Sequence, residues 1–189
     1  MDWNSKDLHH QAVVARGQCD TWHAAVHQQQ ARVSEPLPHF EPQEFEQVHA
    51  FFAARRQQEI DFSFYLVAVE RYVRAAELIH EILGEPALQP ELDRLKNDEQ
   101  KDLRDMDEHF DAYLRGRGQK QADVGDDKYG YLRLVEFKDP VFAYGTRSIR
   151  LSDVTERVDR FHDVLLTLID APVMTTISAT EDELMRDRP

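Results

Sequence analysis

The amino-acid sequence predicts a mainly α-helical protein: an up-and-down bundle of four to five helices with a small β-hairpin inserted before the last helix. Glycine is scarce, with 7 of 189 residues, which argues against a loop-rich or all-β fold. Apolar residues recur at steps of three and four over most of the chain, and the spacing changes to that of strands only near residues 131–144. A chain of this length can bury one real core.

The first helix is predicted between a cap at Asn4 or Ser5 and the segment Ser34-Glu35-Pro36, whose proline cannot continue a helix. A narrow apolar stripe runs along this helix, formed by Leu8, Ala12, Ala15, Cys19, Trp22 and Val26. Cys19 falls on this stripe without a basic neighbour, so it is interpreted as a core residue and not as a nucleophile.

A second helical segment is predicted over residues 42–83, and Gly84 is expected to end it. As one helix it would be roughly 60 Å long, so a kink or break is expected near residues 55–59. Phe45, Val48 and Phe52 are expected to form an inner face before that break. The stretch 60–83 is apolar on more than one face and is expected to be the most buried helix.

A third helix is predicted over 90–115, followed by a polar loop, strands at 131–137 and 141–144, and a last helix capped by Ser152 and ended by Pro172. The sequence offers two turns for the tip of the hairpin, Asp139-Pro140 and Gly145-Thr146, and does not decide between them. We expect one helical-bundle domain over residues 1–172 and a flexible C-terminal tail over 173–189.

Composition limits the classes of function. The formal net charge of −13 argues against tight non-specific binding to nucleic acid or to anionic membranes, so neither a DNA nor a membrane partner is expected. The single cysteine fits a reducing compartment, and the N-terminus shows no basic segment followed by an apolar run. A cytoplasmic protein is therefore expected.

The main candidate site is the run Leu103-Arg104-Asp105-Met106-Asp107-Glu108-His109 on the third helix. On a helical wheel, Arg104 and Glu108 point away from the apolar stripe and His109 lies at its edge, with Asp105 between Arg104 and His109. Histidine can take and give a proton near neutral pH, and arginine can stabilise a phosphorane dianion. The alternative is an ordinary helix surface, because Arg104 and Glu108 also form an i,i+4 pair of opposite charge.

This run resembles the motif helix of HEPN-domain proteins, in which Arg, a polar residue, a few variable residues and His occur late in a helical bundle. The resemblance implies a metal-independent endoribonuclease that needs no cofactor and acts as a homodimer with a composite cleft. Arg104 would hold the scissile phosphate, Asp105 would orient the set, His109 would transfer protons, and the product would be a 2′,3′-cyclic phosphate. It also implies RNA as substrate and a cognate antitoxin or regulatory protein as partner.

The local charge complicates RNA binding. Residues 91–111 contain nine acidic and four basic side chains, a balance of −5. RNA would be repelled unless basic residues come from elsewhere. Arg115, Arg117 and Lys120 are the nearest candidates in sequence, although they equally suit a role beside the helix C-terminus.

Histidine and carboxylate pairs raise a third possibility. Glu46-x-x-His49 and Glu77-x-x-His80 have the spacing of di-metal carboxylate bundles, but two further glutamate-bearing helices are not evident. Asp20-x-x-His23 and Asp159-x-x-His162 show how readily the spacing arises in this chain, and no metal ligand is assigned.

Two hypotheses of different class therefore lead: a HEPN-like endoribonuclease, and a non-catalytic dimeric interaction or regulatory module. A di-metal bundle protein is the third.

Overall fold

The computed structural model describes residues 5–39, 44–109, 112, 115, 117–119, 133–136 and 139–170. Within these ranges the chain forms α1 (Ser5–Val33), α2 (Phe45–Leu83), a 3₁₀ turn (Pro86–Leu88), α3 (Gln89–Leu95) and α4 (Asp98–Glu108). Three short strands follow, β1 (Arg133–Glu136), β2 (Val141–Tyr144) and β3 (Arg147–Arg150), and then α5 (Leu151–Asp170). The predicted helical bundle with a small antiparallel hairpin before the last helix is confirmed.

Helices α1 and α2 pack side by side in opposite directions. The amide of Gln58 donates hydrogen bonds to the carbonyls of Val33 (3.1 Å) and Glu35 (2.5 Å) at the end of α1. Farther along α2, the Tyr72 ring lies 6.2 Å from the ring of His23. The end of α1 therefore lies beside Gln58, and the first part of α2 extends beyond it.

The core lies between the C-terminal part of α2, the inner faces of α1, α3, α4 and α5, and the sheet. Phe62 stacks on Phe142 with ring centroids 3.8 Å apart, which joins α2 to β2. The Tyr65 hydroxyl donates to the carbonyl of Leu151 (3.2 Å) and lies 2.9 Å from the Thr155 hydroxyl, which joins α2 to α5. The expectation that residues 60–83 form the most buried helix is confirmed.

The sheet has the order β1-β2-β3 and is antiparallel throughout. Both predicted turns are used: Asp139-Pro140 connects β1 to β2, and Gly145-Thr146 connects β2 to β3. Gly145 has a φ of 59°, which favours glycine at the second turn. The third strand was not predicted; it continues directly into α5.

Two helix predictions are wrong. The expected break near residues 55–59 does not occur, since α2 is one continuous helix of 39 residues. The single helix expected over 90–115 is instead interrupted at Lys96 and Asn97, where the Asn97 side chain accepts a hydrogen bond from the Glu99 amide and starts α4. Helix α4 ends at Glu108, so His109 lies in the turn after it.

Two local expectations on α2 and α5 also need correction. Phe45 and Phe52 are not on an inner face, because they are 76% and 57% exposed. Ser152 does not cap α5 from outside; it lies in the first turn, and its hydroxyl donates to the Asp139 carboxylate (3.1 Å). Residues 173–189 lie outside the described residues.

Across the described parts of the chain, no helix combines the length and apolar character needed to cross a membrane.

Candidate functional site

Arg104 is the central residue of the candidate site, and it packs against α2. Its guanidinium forms ion pairs with Glu70 of α2 and with the adjacent Asp105, and it lies 3.8 Å from Glu108. The side chain is only 16% exposed. The expectation that Arg104 points away from the core is therefore wrong: α2 covers this side of α4, which a wheel of one helix cannot show.

The ion pair shifts the pKa of both partners. Burial alone would raise the pKa of the Glu70 carboxyl, but the hydrogen bond and charge of Arg104, together with the charge of Arg74, lower that pKa below its ordinary value. Burial would likewise lower the pKa of Arg104, and its hydrogen bonds to Glu70 and Asp105 raise it above the ordinary value. Both groups are thus charged at neutral pH.

A groove of about 430 Å³ runs along the α2–α4 contact with Arg104 in its wall. Its floor is partly apolar, from Leu66, Val69 and Val73. Four cationic side chains line it: Arg74, Lys96, Lys101 and Arg104. Two carboxylates, Glu70 and Glu77, partly neutralise them, and a neighbouring depression adds Arg71 and Glu108. The groove therefore carries net positive charge in an acidic protein.

Asp105 and His109 have different positions. The Asp105 carboxylate accepts a hydrogen bond from Arg104 Nε (3.2 Å), so the expected Arg–Asp contact is present. His109 is exposed, and its backbone N–H donates to the carbonyl of Asp105 (3.2 Å). We expected the His109 ring at the edge of the core. It does not lie there, because α4 ends one residue earlier, at Glu108. Its exposed ring is available to a second molecule.

Asp107 ties the same helix to α2 through a half-buried contact. The Ser63 hydroxyl donates to Asp107 Oδ2 at 2.6 Å. Burial raises the pKa of Asp107, the hydrogen bond from Ser63 lowers it, and the charge of Glu108 raises it; the net direction is upward. Ser63 thus places the end of α4 beside the middle of α2.

Arg115, Arg117 and Lys120, which follow α4 in sequence, are the basic residues that were expected to bind RNA. Arg115 and Arg117 are exposed, and Lys120 lies outside the described residues. The cations that actually flank Arg104 include Arg71 and Arg74 of α2, which sequence analysis missed. Their signal was present as Glu70-Arg71-Tyr72-Val73-Arg74, a charged patch within an apolar helix, but its partner helix could not be inferred.

The two Glu-x-x-His pairs weighed for a di-metal site do not meet within the chain. Both lie on the continuous α2, and His49 and His80 are 31 residues, or roughly 46 Å, apart along it. His80 Nε2 lies 2.8 Å from Gln89 Oε1, and Glu77 pairs with Lys96 at 2.6 Å.

The pairs that were set aside as coincidental spacing do meet. Helices α1 and α5 bring His23 and His27 to one carboxylate oxygen of Asp159. The signal for this cluster is the i,i+4 spacing of His23 and His27, which places both rings on one helix face.

Comparison with protein-family models, with curated proteins and with solved structures finds no match to this chain.

Proposed function

We propose that this chain is a HEPN-like, metal-independent endoribonuclease whose α2–α4 groove holds an RNA phosphate beside Arg104. The observation that carries this proposal is a groove lined by Arg74, Lys96, Lys101 and Arg104, with Arg71 in a neighbouring depression, in a protein with a net charge of −13. Arg71 and Arg74 of α2 thus stand beside the cations of α4, together with the carboxylates of Glu70 and Glu77.

The proposed chemistry is cleavage by the RNA's own 2′-hydroxyl. The 2′-oxygen attacks phosphorus, the bond from phosphorus to the 5′-oxygen breaks, and a 2′,3′-cyclic phosphate forms. His109 takes the 2′-hydroxyl proton and passes a proton to the leaving 5′-oxygen. Arg104 stabilises the charge that develops on the phosphoryl oxygens, with Asp105 holding its guanidinium.

Helix α2 supports the proposed homodimer. Residues 45–57 extend beyond the end of α1, and none of them is buried. Phe45 and Phe52 lie along one face of this projecting segment, and Ile60 continues that face just beyond it; they are 76%, 57% and 44% exposed. Phe64, also exposed, is next in sequence to Ser63, which contacts Asp107 of α4. A second copy that packs on this surface would bring two motif helices close together.

The second candidate is a non-catalytic dimeric interaction or regulatory module. The observation that favours it is the occupation of Arg104 by its own carboxylates, Glu70 and Asp105, which an RNA phosphate must displace. In that case the exposed surface of α2 is the functional one, and a regulatory protein or antitoxin binds the dimer. A cytoplasmic location fits both candidates, since Cys19 is buried and free.

The test is cleavage of mixed-sequence RNA in EDTA by the full chain and two variants, Arg104→Ala and His109→Ala. Each variant should lose cleavage by at least about 100-fold. Arg32→Ala and His10→Ala, which remove exposed side chains on α1, are the matched controls and should cleave normally. Circular dichroism checks the fold, and His109 is exposed enough that its loss should leave the fold intact.

Cleavage that survives both substitutions contradicts the catalytic assignment. A wild-type chain that dimerises but cleaves no RNA supports the interaction module instead.

A further inference from the structure

We propose that His23, His27 and Asp159 form a binding site for a divalent transition-metal ion of the zinc type. The three side chains come from two helices, α1 and α5, and they converge on one point. Their ligand atoms, two imidazole nitrogens and one carboxylate oxygen, all lie within 4.8 Å of one another.

The geometry is close to that of a chelate. His23 Nε2 lies 2.8 Å from Asp159 Oδ1, and His27 Nε2 lies 2.7 Å from the same oxygen. Zinc bonds to imidazole nitrogen and carboxylate oxygen are about 2.0–2.2 Å long, so adjacent ligands of a tetrahedral ion are roughly 3.3 Å apart. An ion would be admitted by opening the two contacts by about half an ångström and bringing the two imidazole nitrogens, now within 4.8 Å of each other, to the same spacing.

The helical spacing fixes the two imidazoles in position. His23 and His27 are four residues apart on α1, and their ring centroids are 4.6 Å apart. Two histidines at this spacing lie on one helix face, the arrangement by which helices hold zinc in metalloproteases. Asp159 completes the set from α5, so the site joins two helices that pack together.

A supporting shell surrounds the triad. The His162 ring stacks on His23 with centroids 4.0 Å apart and planes 11° apart. His162 Nδ1 lies 3.3 Å from the buried Tyr72 hydroxyl, and its Nε2 lies 3.5 Å from Asp20. These contacts hold His162 against one face of the His23 ring, which restricts rotation of that ring. Asp20 is shared with Arg16, at 3.8 Å.

The donor set selects the class of ion. Two imidazoles and one carboxylate suit Zn²⁺ and its neighbours, whereas Ca²⁺ and Mg²⁺ prefer all-oxygen ligands. The side chains of His23, His27 and Asp159 are 25%, 43% and 41% exposed, so an ion can reach them from solvent. Three protein ligands leave a fourth position for water or another small ligand.

The experiment uses the full chain, stripped with EDTA and dialysed, and titrated with Zn²⁺ by calorimetry. Co²⁺ is added in parallel, because its visible absorption reports four-coordinate geometry. We expect one equivalent of Zn²⁺ to bind. His27→Gln and Asp159→Asn should each weaken binding by at least about tenfold. His10→Gln, a histidine exposed on the same helix, is the matched control and should bind as the wild type does.

Thermal unfolding gives a second measurement. Zn²⁺ should raise the Tm of the wild type and of His10→Gln, because a ligand of the native state stabilises that state. It should leave the Tm of His27→Gln unchanged. Absence of saturable binding overturns the proposal, and so does binding that survives both ligand substitutions or that His10→Gln weakens equally. RNA cleavage in EDTA is a separate readout, so failure of this proposal leaves the proposed nuclease untouched.

Discussion

Glu70 of α2 and Arg104 of α4 form an ion pair that joins the two walls of the groove. The pair is mostly shielded, with Arg104 16% and Glu70 24% exposed. It both fixes the arginine and competes with any anion that would bind there. Its strength therefore affects the stability of the protein and the availability of Arg104.

Glu70→Gln should destabilise the protein by about 1 kcal/mol at pH 7, a value between those of exposed and buried pairs. The folded pKa of Glu70 is lower than its ordinary value of 4.5. The stabilisation is therefore present above that ordinary value and is lost as pH falls through the lowered folded pKa. Urea unfolding at pH 7 and near pH 3 measures the difference, which should be smaller at the acidic pH.

Equal destabilisation at both pH values would show that Glu70 acts through packing and not through its charge. Glu91→Gln is the comparison variant, since Glu91, which is 13% exposed, pairs with Arg94 of α3 and Arg160 of α5, away from the groove.

The groove predicts which cations matter for RNA. Lys101 is exposed on α4 one turn before Arg104 and lines the groove. Lys101→Ala should weaken RNA binding several-fold and reduce the slope of log affinity against log salt by roughly 0.7–1, the loss of one phosphate contact. Arg32→Ala, which removes an exposed cation on α1, should change neither quantity. Fluorescence anisotropy with labelled RNA at several salt concentrations measures both.

An unchanged salt slope in Lys101→Ala would mean that RNA does not follow this groove. Arg115 and Arg117, exposed beyond α4, would then be the next cations to substitute.

The sequence predicted the helical architecture because its signals are local. Apolar spacing located α1, α2 and α5, and Gly84, with φ of 64°, ends α2 as expected. In α5, apolar residues at helical spacing face the core, with Val154, Val158, Phe161 and Leu165 buried. Each of these depends on neighbouring residues in one element.

The errors concern tertiary contacts. The helical wheel placed Arg104 away from the core because it contains no information on α2, which lies against that face. The His23–Asp159 contact spans 136 residues, and no local pattern indicates that α1 meets α5. The spacing of Phe45, Val48 and Phe52 predicted one inner face, whereas α1 ends too early to cover Phe45 and Phe52.

The exposed face of α2 predicts self-association. Phe52 is 57% exposed on the projecting segment, among His49, Arg56 and Ile60. Phe52→Asp should abolish dimer formation while changing the free energy of unfolding of the monomer by no more than about 0.5 kcal/mol, because the ring makes no core contact. Sedimentation velocity over a range of protein concentrations measures the dimer.

Leu78→Asp is the matched control for this surface. Leu78 is a 45% exposed apolar residue on the same helix, outside the projecting segment. It should leave the dimer intact. A wild type that stays monomeric at every concentration, or a dimer that Phe52→Asp leaves unchanged, would contradict a dimer through α2.

The interruption between α3 and α4 predicts a measurable helix cap. Asn97 has an extended backbone, and its side chain accepts a hydrogen bond from the Glu99 amide at 2.7 Å. Asn97→Ala should destabilise the protein by about 1 kcal/mol, because that amide loses its partner, whereas Asn97→Asp should stay within a few tenths of a kcal/mol. Urea unfolding at pH 7 measures both variants. Equal stability of Asn97→Ala and the wild type would mean that the Asn97 side chain does not stabilise the start of α4.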